Sequence, residues 1–313
     1  MTNGTTSDSH LQSWFSSLLE NTQDLNIWLV YADWLEDHGY PQAEVTRLWA
    51  MQRWESEQWS AQQEQRLDTL LKEGLRPCLP RHVNSLGMSL VLIPRGTFLM
   101  SDNERNLRNE VTLDYDFYMG IYPVTQGQWQ TLMGPNPSYY SRNGDGSQSV
   151  SNIPNDDLQN FPVERVSRQD AQLFLQQLNA KENVGSPWHY RLPTAAEWEY
   201  ACREASISEA DCAFDFYGVN RTNAVLPMQA NTADAGPYRT TKVDAYPPNR
   251  LGIYDMHGNV WEWCAGQQKF PEIRGGSWRN LGRYCRAASR HGRRDNERLN
   301  VLGFRIVRVP TGK

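Results

Sequence analysis

The chain has 313 residues, enough for two domains or for one large domain with an appendage. Its net charge of −5 gives no overall reason to expect a nucleic-acid partner, and no apolar run approaches the ~18 residues that a membrane span needs. The five cysteines lack CxxC spacing and no secretory signal precedes them, so the sequence predicts free thiols in a cytoplasmic protein rather than a zinc ribbon or a disulfide framework.

The first part of the chain predicts a helical module. Residues 1–9 are polar and are expected to be disordered, whereas residues 10–74 carry apolar side chains at helical spacing. The string WLVYADWLEDHG at 28–39 resembles the repeat-companion module of bacterial multidomain proteins, a small all-α unit. The predicted helices begin near His10, Ile27, Gln42 and Ser60, and Gly39 is expected to terminate the second of them.

After a proline-containing linker at 75–86, the pattern changes to short strands. Residues 88–94 and 96–100 are predicted to form a hairpin, and 110–113 and 117–120 are predicted to be further strands. Loops are predicted over 134–160 and 205–250. Three helices are predicted from their capping residues: Thr125 before 126–133, Ser167 before 168–181, and Thr194 before a helix that ends near Arg203.

The segment from Arg274 to Arg305 differs from the rest of the chain. At its ends, Gly275-Gly276 predicts a tight backbone path, Trp278 an apolar anchor and 302–307 a terminal strand. Between them, residues 279–301 are polar and follow neither the strand period nor the helix period. Two interpretations fit: a ligand-binding loop on a rigid scaffold, and an ordinary long surface loop.

The same region is rich in arginine. Ten arginines lie between Arg274 and Arg308, against only Asp295 and Glu297. Such a cluster is typical either of a phosphate-binding patch or of structural arginines that pair with carboxylates and carbonyls. No lysine accompanies them and no nucleic-acid-binding motif occurs, which favours the structural interpretation.

Several long strings follow one another in the second part of the chain: GMSLVLIPRGTFLM, YPVTQGQWQTLMGPNPSYY, FPVERVSRQDAQLFLQQLN, YRLPTAAEWEYACR, YPPNRLGIYDMHGNVWEWC and RGGSW…LGFRIV. Together they resemble the formylglycine-generating enzymes, also called sulfatase-modifying factors. The resemblance implies an α+β fold with a C-type-lectin-like domain over 87–309, in which a small antiparallel sheet and two helices support much irregular backbone.

The residues that would carry the activity of this family are not matched. Its enzymes oxidise a substrate cysteine with copper and oxygen through two cysteines shortly after the RGGS motif, and here only Cys285 lies nearby. A second enzymatic branch needs an HxxxHxE ligand set, which this sequence lacks, and no nucleophile elbow, HExxH or phosphate-binding glycine loop occurs. We therefore expect a protein that is not an enzyme.

The segment 279–301 is instead similar to the variable region of diversity-generating retroelement proteins, which carry the same lectin-like domain. In those proteins the side chains between RGGSW and GFR are diversified by mutagenesis at adenines and form a ligand-binding face. Glu297 cannot be reached from an Asn AAC codon by changes at its adenines. The resemblance implies a face of residues that can be reached in this way: Arg279, Leu281, Tyr284, Ser289, His291, Arg293, Leu299 and Val301.

The GNVWEW string also resembles the calcium-binding segment of some family members. Asn259 and Glu262 lie three residues apart within it, and Asn231 falls near the other calcium segment of the family. Two interpretations remain open: oxygen ligands for a structural calcium ion, or side chains that bond the local backbone. Neither requires a cofactor for function.

The sequence thus favours a non-catalytic binding protein, the variable protein of a diversity-generating retroelement. Its partner is expected to be macromolecular, most readily a protein, and neither a membrane nor a nucleic acid. Tyr, Arg and His are effective interface residues because each offers area or charge on few rotatable bonds. The alternatives are a formylglycine-generating-type oxidase and a non-variable scaffold protein of the same family.

Overall fold

The computed structural model describes residues 4–102, 107–182, 185–224, 228–234, 236–266 and 269–313. Within these ranges the chain has the predicted α+β architecture, a helical module followed by a sheet-rich domain. The helices are α1 (Gly4–Glu20), α2 (Leu25–Asp37), α3 (Ala43–Trp54), α4 (Ala61–Lys72), α5 (Gln126–Met133), α6 (Asn155–Gln159), α7 (Arg168–Glu182) and α8 (Ala195–Cys202).

The helices begin at the capping residues that the sequence predicts. The Oγ1 atoms of Thr125 and Thr194 accept hydrogen bonds from the backbone N–H groups three residues on, at 3.3 and 3.1 Å, and both residues form complete capping boxes. Ser167 is paired in the same reciprocal way with Asp170 at the start of α7. Gly39, at φ +73°, follows the end of α2 as predicted.

Among the described residues, the strands form two sheets and two ribbons. The strands are β1 (Arg81–Val83), β2 (Ser89–Ile93), β3 (Gly96–Asp102), β4 (Leu107–Leu113), β5 (Phe117–Gly120), β6 (Trp188–Arg191), β7 (Phe216–Tyr217), β8 (Arg221–Thr222), β9 (Trp261–Trp263), β10 (Glu272–Arg274), β11 (Arg290–Gly292), β12 (Leu302–Gly303) and β13 (Val307–Pro310). The main sheet, β1-β2-β5-β13-β6, is antiparallel throughout. The second sheet has the order β11-β10-β9-β12, with β12 parallel to β9.

The predicted hairpin of 88–94 with 96–100 is wrong. β2 lies between β1 and β5, and β3 pairs with β4 in a separate ribbon that runs from Gly96 opposite Leu113 to Asp102 opposite Leu107. Both segments are extended, as the sequence predicts. A local pattern does not identify the partner strand, because register and pairing depend on which faces the rest of the fold buries.

The structure also corrects two predicted boundaries. Segment 75–86 is not a linker: β1 lies at the edge of the main sheet, and Leu79 is buried. The N–H of Cys78 donates to Oγ1 of Thr46 in α3 at 2.9 Å. At the amino end, α1 begins at Gly4, which conflicts with the predicted disorder of 1–9 over residues 4–9, and residues 1–3 lie outside the described residues.

The helical module and the sheet-rich domain share one core. Alternate side chains of β2 enter different clusters: Leu90 and Leu92 face the cluster under α5 and α7, whereas Val91 and Ile93 join a cluster that continues into the helical module. At the junction, the guanidinium of Arg53 donates to the carbonyl of Arg95 at 2.7 Å, to the hydroxyl of Tyr200 at 2.8 Å and to the carbonyl of Ala205. The two parts therefore pack as a single body.

Candidate ligand-binding face

The candidate face is built on the second sheet. β10 and β12 lie on either side of β9, so segment 279–301 leaves from one strand of this sheet and returns to another. β11 within the segment pairs with β10, with Ile273 opposite His291. The segment also contains a 3-10 turn at 282–284. It is thus less irregular than its sequence suggests.

The two glycines before the segment allow its backbone to pack closely. Gly275 and Gly276 lie at φ +92° and +76°, which side chains other than glycine rarely adopt. A Cβ atom on Gly276 would collide with Sγ of Cys285. Trp278 is buried as predicted, and its Nε1–H donates to the carbonyl of Asn300 at 3.1 Å, which joins the two ends of the segment.

Buried ion pairs lie beneath the sheet. The guanidinium of Arg305 donates to both carboxylate oxygens of Glu262, at 2.6 and 2.8 Å, and both side chains are 0% exposed. Nε1 of Trp198 donates to the same carboxylate at 2.7 Å. Arg274 lies beside this pair in the sheet and bonds Glu199 at 3.0 Å. The pair of Arg305 with Glu262 fixes the geometry of the scaffold, because either partner left alone would be a buried unpaired charge.

Asn280 holds the first turn of the segment. Its Oδ1 accepts hydrogen bonds from Nε1 of Trp261 at 2.9 Å and from Oγ of Ser277 at 2.6 Å. Its carbonyl accepts the N–H of Ala233 at 2.8 Å. The backbone at this position is therefore fixed by groups outside the predicted face residues.

Two further groups outside the segment hold its next turn. Oδ2 of Asp234 accepts the N–H of Gly282 at 2.7 Å. His257 accepts the N–H of Tyr217 at Nε2 (2.9 Å), so its Nδ1 carries the proton and donates to the carbonyl of Cys285 at 2.7 Å. The sequence assigned no role to Asp234 or His257, because their partners lie 48 and 28 residues away along the chain.

Four of the predicted face residues have exposed side chains. Leu281 and Tyr284 are 37% and 44% exposed, and Arg279 and His291 are exposed as well. The His291 ring packs edge-on against Trp261 with 5.1 Å between ring centroids. A fifth predicted residue, Arg293, is half-buried, with its guanidinium 3.7 Å from Glu297.

Three of the predicted face residues belong to the scaffold instead. Ser289 is buried, and its N–H donates to the carbonyl of Arg286 at 2.9 Å. Leu299 and Val301 are half-buried and pack against the hydrophobic clusters of the domain. These positions were predicted from the codons that changes at adenines can reach, and a codon carries no information about burial. The exposed part of the predicted face is therefore concentrated in 279–293.

The predicted calcium ligands are only partly brought together. Asn231 and Asn259 are neighbours: Nδ2 of Asn231 lies 3.4 Å from Oδ1 of Asn259, and both side chains also bond Thr241. Glu262 is not an available ligand, because its two oxygens already accept the guanidinium of Arg305. Without that carboxylate the trio lacks the anionic oxygen that a calcium site of this kind needs. Oδ1 of Asn231 is buried without a hydrogen-bond partner among the described residues, so the calcium site stays a prediction.

The thiols are placed for packing. All the cysteines are free, and Cys285 is 0% exposed. Burial raises the pKa of Cys285 to about 12 and raises the pKa of Cys264 well above its ordinary value, so both carry their protons near neutral pH. Among the described residues no group of three or more His, Cys, Asp or Glu side chains is arranged to hold a metal ion.

Most of the arginines in the cluster are structural. Six of the ten lie within 4.0 Å of a carboxylate: Arg274, Arg286, Arg290, Arg293, Arg298 and Arg305. Arg308 lies over the ring of Trp188, 4.9 Å from its centroid. By contrast, Arg279 and Arg283 are exposed, and no ion pair with a carboxylate forms at either within the described ranges.

These features define a C-type-lectin-like domain whose loop face stands on a sheet with buried ion pairs. The model of the sulfatase-modifying factor enzyme 1-like domain matches residues 78–310, and the chain belongs to this family. The match confirms the predicted resemblance. It begins at residue 78, whereas the sequence predicts that the domain begins at residue 87, and the earlier start agrees with the position of β1.

Two relatives and one solved structure are similar to this chain. Chaperone protein LppX of Paenibacillus barcinonensis is 31% identical over 66% of this chain and 81% of its own. Inactive C-alpha-formylglycine-generating enzyme 2 of Bos taurus is 30% identical over 67% of this chain, which spans 64% of the bovine protein. The solved structure of Treponema denticola variable protein 1 superposes with a TM-score of 0.61 over 74% of this chain and 99% of its own at 23% identity, and this likeness shows the shared fold.

None of the described helices is both long enough and apolar enough to cross a bilayer.

Proposed function

We propose that this chain is a non-catalytic ligand-binding protein, the variable protein of a diversity-generating retroelement. Its face, formed by the exposed side chains of 279–293, would bind a macromolecular partner, a protein. One observation carries the proposal: the side chains at 279, 281, 284 and 291 are exposed, while the backbone between them is held by groups elsewhere in the chain. Such side chains can change with little cost in stability.

The chemistry of the face supports a protein ligand. Arg279 and Arg283 offer planar donors, and Tyr284 and His291 offer rings, which are the side chains that concentrate binding energy in protein interfaces. The guanidinium of Arg283 lies over the Tyr284 ring, 4.8 Å from its centroid, which limits the freedom of both side chains before a ligand arrives.

The alternative is an oxidase of the formylglycine-generating type. Membership of the family supports it, and the lone, buried Cys285 with its raised pKa argues against it. Incubation of the purified chain with Cu(I), oxygen and a cysteine peptide tests it directly. Oxidation that is lost in Cys285→Ser would establish the oxidase and overturn our proposal.

A library experiment tests the binding face. Positions 279, 281, 284 and 291 are randomised together and displayed for selection against one protein target, and a matched library randomises the buried positions 285, 287, 288 and 289. We expect folded, saturable binders from the first library and mostly unfolded members from the second. Unfolding of most members of the first library would contradict the proposal. In the genome, a neighbouring reverse transcriptase with a near-repeat of 279–301 that differs only at adenines would establish the diversification.

We further propose a cytoplasmic location and no requirement for a metal. Five free cysteines, four of them buried, are typical of a reducing compartment. The engagement of Glu262 by Arg305 removes the anionic ligand of the predicted calcium site. We therefore expect EDTA to leave the melting temperature unchanged.

A further inference from the structure

Residues 233–234 and 236–239 form a loop that lies against the candidate face, and we call them the flanking loop. Two hydrogen bonds join this loop to the first turns of the segment, one to the carbonyl of Asn280 at 2.8 Å and one from the N–H of Gly282 at 2.7 Å. The loop lies outside segment 279–301, so diversification of that segment would leave its side chains unchanged. It is therefore a constant surface beside the surface that the proposed function makes variable.

The flanking loop carries an exposed aromatic side chain, Tyr238. It is 70% exposed, compared with 37% for Leu281 and 44% for Tyr284 on the face itself. Its backbone has φ +57°, a conformation that is costly for an aromatic residue. Neither burial nor the backbone explains a tyrosine here, because the ring lies in solvent and a glycine or an asparagine would fit this φ better. An exposed ring at a strained position is typical of a binding site.

The Tyr238 ring is held in place before any partner arrives. A Cβ atom on Gly236 would lie 3.1 Å from Cε2 of the ring, so the ring packs against the backbone of Gly236. The carbonyl of Tyr238 accepts the hydroxyl of Tyr140 at 3.4 Å, and the Tyr140 ring packs edge-on against Trp278 with 5.7 Å between ring centroids. Tyr238 is thus fixed relative to the anchor of the segment, and a rigid ring loses little freedom on binding.

Arginines without carboxylate partners surround this ring. Arg239 follows Tyr238 directly, and neither Arg239 nor Arg283 forms an ion pair with a carboxylate within the described ranges. Burial raises the pKa of Tyr140 to about 12, and the charges of Arg239 and Arg279 oppose this rise, which places both guanidinium groups near the Tyr140 hydroxyl. Such a surface attracts carboxylates.

We propose that Tyr238 is a constant contact of the ligand-binding face, and that with Arg239 and Arg283 it selects a protein surface on which an apolar side chain is flanked by carboxylates. This inference rests on the proposed function and adds the chemistry of the partner. The diversified side chains would decide which acidic protein is bound. The constant ring would contribute area to every complex, whatever those side chains are.

The test uses the library randomised at 279, 281, 284 and 291, with α-lactalbumin, an acidic protein, as the target. Selected binders are then compared with their Tyr238→Asn variants by titration calorimetry and thermal unfolding. Because asparagine adopts a positive φ more readily than tyrosine, we expect an unchanged or higher melting temperature and at least tenfold weaker binding. A merely structural tyrosine would give a lower melting temperature instead.

Unchanged affinity in Tyr238→Asn would overturn this inference and leave the proposed function intact. A library without binders would overturn both. If Tyr238→Asn fails to fold, Tyr238→Gly decides, since glycine adopts this φ freely. The matched control is Val83→Thr, which changes a side chain that is 61% exposed on β1, at the edge of the other sheet, and should leave the affinity unchanged.

The acidic character of the partner is tested by a second selection. The same library is selected against lysozyme, a basic protein with the same fold as α-lactalbumin. We expect at least tenfold fewer distinct binders, because Arg239 and Arg283 stay in every library member and repel a basic surface. Equal yields from the two targets would overturn the assignment of an acidic partner.

Discussion

Arginine serves opposite purposes in two regions of this molecule. Below the second sheet, the Arg305 side chain is 0% exposed and bonds Glu262 through two donors. On the candidate face, a short distance along the chain, Arg279 and Arg283 are exposed without a carboxylate partner among the described residues. Arginine is thus a buried, paired residue in the first region and a solvent-exposed residue in the second.

The difference lies in solvation. A buried guanidinium has given up its hydration and depends entirely on its partners, whereas an exposed one remains hydrated and depends on none. A scaffold can therefore combine an invariant interior with a surface that changes. Three sets of variants test this division: those of the buried acids and arginines, those of the junction with the helical module, and those of the face. The expected loss of stability decreases in that order.

Glu262→Gln should have the largest effect. It leaves Arg305 buried without an anionic partner, and loss of one member of a buried pair costs about 3–5 kcal/mol. The free energy of unfolding from urea titration measures the change. A loss below about 1 kcal/mol would show that the pair is not part of the invariant interior.

Glu164 tests the opposite case, a buried acid that forms no ion pair among the described residues. Burial raises its pKa from 4.5 to about 7, and its Oε2 has no hydrogen-bond partner among the described residues. The folded state thus binds this proton more tightly than the unfolded state, so stability should fall as the pH rises from about 4.5 to 7, by ~3 kcal/mol at most. Glu164→Gln should flatten that slope in urea titrations at several pH values. A slope that the variant keeps would assign the pH dependence to other groups.

Arg250 tests the junction between the helical module and the domain. Its guanidinium donates to Glu64 and Asp68 of α4, each at 2.7 Å, and its side chain is 3% exposed. Because both acids remain partly hydrated, we expect Arg250→Leu to cost about 2 kcal/mol of unfolding free energy. Arg66→Leu is the matched control: it breaks an exposed pair with Glu44 in the same module and should change stability little. Equal losses of unfolding free energy in the two variants would show that Arg250 does not stabilise the junction between the helical module and the domain.

The smallest effects are expected on the face. Arg279→Ala and Tyr284→Ala should each change the free energy of unfolding by less than about 0.5 kcal/mol, because neither side chain supports the backbone. Ser289→Arg is the contrasting variant, since it places a guanidinium at a buried position of the same segment. If thermal unfolding shows the same loss for Arg279→Ala as for Ser289→Arg, the division between face and scaffold is wrong.

Local signals predicted much of the fold. Thr125, Ser167 and Thr194 mark helix starts because a capping bond joins residues only three apart. The hairpin assigned to 88–100 was wrong because strand pairing joins distant residues, and β2 is completed by β5 and, through it, by β13 near the end of the chain. The predicted face included three residues that pack with the scaffold, because codons carry no information about burial: Ser289, Leu299 and Val301.

The amino-acid sequence alone determined the family, the helix starts and the position of the patternless segment 279–301, because motifs, caps and periodicity depend on residues close together in the chain. Only the tertiary structure decided which arginines are paired, that Glu262 pairs with Arg305, and that Oδ2 of Asp255 is buried without a hydrogen-bond partner among the described residues. Each of these depends on the burial of a charge and on partners far away in sequence. Burial and partnership are properties of the packed chain, and no local pattern records them.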